Sequence, residues 1–133
     1  MTIRIALAVA AACIALAAPT AASAYDLTGA WANDVASCAK IFAKKGGAFD
    51  FKPGSDVYGS GFIVVGDRIR GRFARCRITT KKEDGTAINL LAACSTDIML
   101  SNVQFSLKVV DDNRVRRLFP GMEGLELQYT RCP

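Results

Sequence analysis

The sequence predicts an all-β fold: an antiparallel up-and-down meander of about eight strands, closed or half-closed into a barrel, with one short helix after the first strand and two disulfides. Three observations predict it. Beyond Gly47 the chain runs in short stretches of β character with little helical period. Turn signals separate those stretches, at Gly66-Asp67, Asp84-Gly85 and Asp111-Asp112-Asn113, and such signals reverse a chain between consecutive antiparallel strands. Cys38, Cys76, Cys94 and Cys132 form an even, widely spaced set, which in a small exported chain reads as a disulfide framework.

Residues 1–24 read as a secretory signal peptide and 25–133 as a single exported β domain. Arg4 gives the positive start, residues 5–18 are unbroken and apolar, and Ala22-Ser23-Ala24 supplies the small-x-small pattern before Tyr25. The apolar run of about 14 residues falls short of the roughly 20 that cross a bilayer as a helix, so no transmembrane anchor is expected. Cys13 lies within that run and leaves with it. Export places the protein in the periplasm or outside the cell.

The first strand is expected near residues 27–32. Residues 33–46 then read as one short helix, with Asn33 as N-cap, Asp34 at the positive end, Lys44 and Lys45 at the negative end and Gly46 as the stop. Val35, Cys38 and Phe42 share a face of that helix. Further strands follow near residues 48–52, 61–65, 68–80, 86–94, 103–110, 114–119 and 125–132. In the long 68–80 strand, Arg68, Arg70 and Arg72 occupy even positions whereas Arg75 and Arg77 occupy odd ones. A bulge near Phe73-Ala74 would restore a single arginine face, and bulges bend strands around barrels.

Pairing across the Asp84-Gly85 turn sets Cys76 opposite Cys94, within reach of a disulfide. Cys38 then joins Cys132 by elimination. A faint repeat at a shift of 56 residues would instead pair Cys38 with Cys76 and Cys94 with Cys132. That shift lays the helix onto a strand. The wide cysteine spacing leaves no ribbon-type zinc site or redox pair, and no metal is expected.

The formal net charge is +5, or +4 once Arg4 departs with the leader. So moderate an excess attracts anionic surfaces without defining a nucleic-acid binder. The chain has no histidine, which removes the hydrolase constellations built on an imidazole base. No glycine-rich phosphate loop leads from a strand into a helix. Glu123 with Glu126, and Asp111 with Asp112, are carboxylate pairs at turns, where solvated acids are ordinary. Neither an enzyme nor a cofactor is expected. The densest chemistry is basic: Arg68, Arg70, Arg72, Arg75 and Arg77 in one stretch, with Arg114, Arg116 and Arg117 in another. Guanidinium forks grip carboxylate, sulfate or phosphate, so the first set is a candidate anion-binding row.

The segment Leu27-Thr28-Gly29-Ala30-Trp31-Ala32-Asn33-Asp34 resembles the first strand of the avidins. Its Gly-x-Trp core is similar to the lipocalin signature and to the start of small bacterial metalloprotease-inhibitor barrels, all of them calycin-type barrels. The resemblance implies that Trp31 closes one end of the barrel and that a cation from the last strand, Arg131, covers it. It implies no biotin pocket, which needs further tryptophans that this chain lacks.

The expected function is an exported, non-enzymatic binding protein that engages an anionic envelope component through the arginine strand. Two other readings stand beside it. One is a secreted inhibitor of a protease or lysozyme, plugging the hydrolase with residues 52–61 or 119–124; the other is a structural envelope component.

Overall fold

The computed structural model describes residues 17–18 and 24–133. Arg4, Cys13 and most of the leader reading lie outside the described residues. Among the described residues ten strands form: β1 (Gly29–Ala32), β2 (Phe42–Lys45), β3 (Ala48–Phe51), β4 (Gly61–Val65), β5 (Arg68–Arg70), β6 (Arg75–Asp84), β7 (Ala87–Ser95), β8 (Leu100–Asp111), β9 (Arg114–Leu118) and β10 (Glu126–Arg131). Eight of them close an antiparallel barrel in the order β1-β10-β9-β8-β7-β6-β5-β4, while β2 and β3 pair separately. Closure removes every open edge from the larger sheet.

The three turn signals all reverse the chain, with Val65 opposite Arg68, Asp84 opposite Ala87 and Asp111 opposite Arg114. Period-2 alternation sends one set of side chains inward: Trp31, Val64, Ile69, Cys76, Ile88, Leu90, Ala92, Cys94, Leu107, Val115 and Tyr129, with Leu27. A second core lies outside the barrel wall. There Ala30, Ala32 and Ile63 are covered by Cys38, Ile41, Phe42 and Cys132, with Phe49 and Phe51 packed against them. Small residues on β1 let this outer layer sit close. At Gly61 a Cβ would stand 2.8 Å from the Phe42 ring, so only glycine fits beneath it.

Cys76–Cys94 bridges directly opposed residues of β6 and β7, with Cα atoms 4.0 Å apart. Cys38–Cys132 ties the outer layer to the end of β10, with Cα atoms 5.7 Å apart. The rival pairing suggested by the 56-residue shift is excluded.

Three expectations require correction. The one short helix expected after the first strand is present but ends well before residue 46: a 3-10 turn (Val35–Ser37) runs into one α-helical turn, α1 (Cys38–Ile41). Asp34 caps it, accepting from the Ala36 N–H at 3.0 Å, and Val35 is exposed. Lys44 and Lys45 belong to β2, and Gly46 and Gly47, both at positive φ, make a hairpin turn. The hairpin prevails because it pairs the backbone of 42–45 with 48–51 and brings the rings of Phe49 and Phe51 to 6.2 and 5.1 Å from Phe42. Accordingly the strand expected at residues 48–52 flanks the barrel and does not enter it.

The long arginine strand of residues 68–80 is in fact two strands. The chain reverses at residues 71–74, where the Gly71 N–H donates to the Ala74 carbonyl at 2.8 Å, and β5 pairs back on β6 with Arg68 opposite Arg77 and Arg70 opposite Arg75. An odd register sum pairs even positions with odd ones. The parity switch attributed to a bulge at Phe73-Ala74 is thus the mark of a hairpin. A register shift does occur on β6, farther along, between Ile78 and Thr80.

Candidate functional site

Chain direction sorts the barrel ends. The turns at 66–67, 85–86 and 112–113 lie at one end; residues 33–60, 71–74, 96–99 and 119–125 make the connections at the other.

The first end is closed. Trp31 is fully buried and donates from Nε1 to the Leu27 carbonyl at 2.8 Å. The Arg131 guanidinium lies 4.4 Å from the Trp31 ring centroid, a cation–π contact, with Phe62 stacked at 6.0 Å. Arg131 also donates to the carbonyls of Thr28, of Asp26 at 2.7 Å and of Asp112 at 3.0 Å. Gly29, at φ +129°, keeps the backbone beneath the Arg131 side chain. Tyr25 closes the rim by donating to the Asp111 carbonyl at 2.8 Å, and burial pushes its phenol up. Here every named polar group has a partner.

The second end is open. Just inside it lies a cavity of about 240 Å³. Its walls are almost wholly apolar, including Phe62, Val64, Leu90, Phe105 and Leu107. Tyr129 and Ser60 bring hydroxyls to the wall, 3.3 Å from each other. Arg117 enters the lining from β9, its guanidinium 4.7 Å from the Phe105 ring and 5.0 Å from Phe119. No carboxylate pairs with it among the described residues. Alternation was the available signal: Val115 points inward, so Arg117, two residues on, does too. Arg114 and Arg116 point outward and are held by Asp111 at 2.6 Å and Glu126 at 3.6 Å.

Of the predicted arginine row, Arg68, Arg70, Arg75 and Arg77 form two directly opposed like-charged pairs on the outer wall, an arrangement that opposes folding unless counter-charge is supplied. Aspartates from neighbouring turns and strands supply part of it. Asp67 accepts from Arg77 Nε at 3.0 Å and Asp50 from Arg70 Nη2. Those guanidinium hydrogen bonds hold both carboxyls below the usual aspartate range.

Arg70, Arg72 and Arg75 converge on one polar groove of about 490 Å³ at the open end, bounded by residues 70–75, Asp50, Phe51, Ser95, Thr96 and Asp97. Arg72 lies 5.2 Å from the Phe73 ring, and its Nε is buried with no hydrogen-bond partner; Asp56 stands off at 3.8 Å. Arg75 has no ion pair among the described residues, whereas Arg68 and Arg77 lie away from the groove. The five arginines fall on one hairpin, of which only Arg70, Arg72 and Arg75 line the groove, and sequence reading missed Asp50, Asp56 and Asp67, which come from distant or reversing segments.

The turn carboxylates are engaged elsewhere. Asp111 accepts from Arg114 Nε at 2.7 Å and from the Asn113 N–H, which holds it below the usual range. Glu123 and Glu126 sit in or beside the 119–125 connection. Residues 52–61 carry a 3-10 turn (Ser55–Tyr58) beside the mouth, and 119–124 form turns at the same end, between β9 and β10. The described residues contain no cluster of side chains that could hold a metal ion, and no helix among them is long and apolar enough to cross a membrane. In comparisons with known proteins the chain matches no family model, no curated protein and no solved structure.

Proposed function

We propose that this chain is an exported, non-enzymatic binding protein of calycin-like barrel type that engages an anionic partner through the arginines of the β5–β6 hairpin. The observation that carries the reading is the groove at the open end, where Arg70, Arg72 and Arg75 converge and the buried Arg72 Nε lacks an acceptor. Asp56 stands 3.8 Å from Arg72 Nε, beyond hydrogen-bond reach, and the Arg72 side chain is 34% exposed, so its outer nitrogens are open to a charge-assisted pair with an incoming oxyanion. Two disulfides and the lack of a membrane-spanning helix among the described residues are compatible with export.

Retention on an immobilised sulfated polysaccharide tests it. Binding is expected at low salt, with release as salt rises. Arg72→Gln with Arg75→Gln weakens it about tenfold, since two charge-assisted contacts are lost. Binding indifferent to salt and to both substitutions overturns the reading.

The cavity favours a second reading. An apolar chamber of about 240 Å³ with the unpaired cation Arg117 in its wall suits a small amphiphile whose anionic head meets the guanidinium. A short-chain fatty acid that displaces an environment-sensitive dye from the native protein, and not from Arg117→Met, supports it. Equal displacement from both proteins removes it.

A further inference from the structure

What surrounds the arginine groove identifies the kind of anionic partner. Each connection at the open end carries exposed apolar side chains: Val57 at 76% and Tyr58, Phe73 at 69%, Ile98 at 94% with Met99 and Leu100, and Met122 with Leu125. Near the closed end only Val65 and Val110 are comparably bare among the described residues. The tips are neighbours, because residues 71–74 share one depression with Ser55, Asp56 and Phe51 and share the arginine groove with residues 95–97. Apolar groups this exposed, on separate tips around basic side chains, make a poor match for a flat protein face and a good one for a fluid apolar phase beneath a charged layer.

We propose that the open end of the barrel docks on an anionic lipid bilayer, with Phe73, Ile98, Met99 and Leu100 entering the acyl boundary while Arg72 and Arg75 meet lipid phosphates. The proposal rests on the anion-binding reading above and names its partner. Charge complementarity supports it. Arg70 and Arg116 offset Asp50 and Glu126, and Asp56 faces Arg72 at 3.8 Å without a hydrogen bond; beyond these, Arg75, Arg117, Lys40, Lys44, Lys45 and Lys52 outnumber Asp34, Asp97 and Glu123 in the connections and strand ends at this end, with Lys40 5.6 Å from the Tyr58 ring. Stacking of Arg72 on Phe73 sets a cation directly above an apolar tip, the order met on passing from headgroup to acyl chain. The outer wall is mostly polar, with Arg77, Asn89, Gln104 and Lys108 around the single exposed Leu91 of β7, so the barrel rests on the leaflet and does not span it.

Co-sedimentation of the native, disulfide-bonded protein with vesicles of phosphatidylcholine, alone or mixed with phosphatidylglycerol, tests the proposal. Partitioning to the mixed vesicles is expected to be at least about tenfold stronger, and Ile98→Ser with Leu100→Ser lowers it about tenfold. Both positions are exposed, so an unchanged far-UV spectrum and melting curve exclude a folding defect. An Ile98→Trp reporter shifts to the blue on the mixed vesicles and is quenched by brominated acyl chains. Binding that survives the double substitution with the reporter unquenched overturns insertion and leaves the anion reading standing. Retention on the sulfated polysaccharide without vesicle binding does the same. Loss of both interactions overturns the two readings together.

Discussion

The two ends of the barrel are built from the same strands and treat their cations in opposite ways. At the closed end Arg131 lies on Trp31 and gives its protons to three backbone carbonyls. At the open end Arg117 lies by the rings of Phe105 and Phe119 with no ion pair among the described residues, and Arg72 keeps a buried Nε without a hydrogen-bond acceptor. Satisfied polar groups stabilise a fold, whereas unsatisfied ones are tolerated where a partner completes them. The closed end therefore holds the barrel together, and the open end carries the unsatisfied groups that the proposed partner would complete.

The largest test of this contrast separates the two disulfides. Cys38–Cys132 spans 94 residues and fastens the outer layer beside the end of β10; Cys76–Cys94 spans 18 and sits toward the mouth. Loop-closure entropy gives about 4.7 kcal/mol for the first and about 3.2 kcal/mol for the second. Urea unfolding followed by Trp31 fluorescence should show Cys38→Ala with Cys132→Ala as the more damaging pair, by about 1.5 kcal/mol. Equal losses would mean that the outer layer adds little to the closed end.

The arginines give the next test. Arg131→Met removes a cation–π contact and three hydrogen bonds, so a loss of about 2–3 kcal/mol is expected. Arg117→Met keeps the packing on Phe105 and Phe119, since a thioether also suits aromatic faces, and should change stability by no more than about 1 kcal/mol. Thermal melts of both variants check the pair. If Arg117→Met proves as costly as Arg131→Met, then Arg117 is a structural cation and the second reading of the cavity loses its support.

The sequence made the barrel legible because its signals are local. Turn chemistry at 66–67, 84–85 and 111–113 placed three reversals, and the Asp84-Gly85 register placed Cys76 against Cys94. Two features were hidden for a shared reason: each depends on what packs against it. The 42–51 hairpin replaces a helix because Phe42 must lie over Gly61 while its ring meets Phe49 and Phe51, and no local pattern states that contact. Likewise Asp50 reaches Arg70 only because β3 is folded against the barrel wall. The split of the arginine strand was different, since the parity change at Arg72 and Arg75 was visible and a reversal explains it without an added residue.

The smallest effect sharpens the comparison most directly, because Asp50 and Asp67 do the same chemistry at opposite ends. Each is exposed, each accepts from a guanidinium, and each carboxyl is held below the usual range mainly by that hydrogen bond. A carboxyl lowered in the folded state contributes stability that is present above its unfolded value, near 4, and is lost as the pH falls through the lowered one. Melting temperature should thus drop in the acid range below about pH 4, and slightly less in Asp67→Asn or Asp50→Asn. Binding separates the two. Asp50 faces the groove, so Asp50→Asn releases Arg70 to the ligand and should raise affinity for a sulfated polysaccharide about twofold at neutral pH. Asp67→Asn releases Arg77 onto the outer wall beyond the groove and should leave affinity unchanged. In the unsubstituted protein the same gain should emerge as acid protonates Asp50, because sulfate stays charged there. An equal gain from both substitutions would spread the anion site over the whole hairpin and away from the mouth.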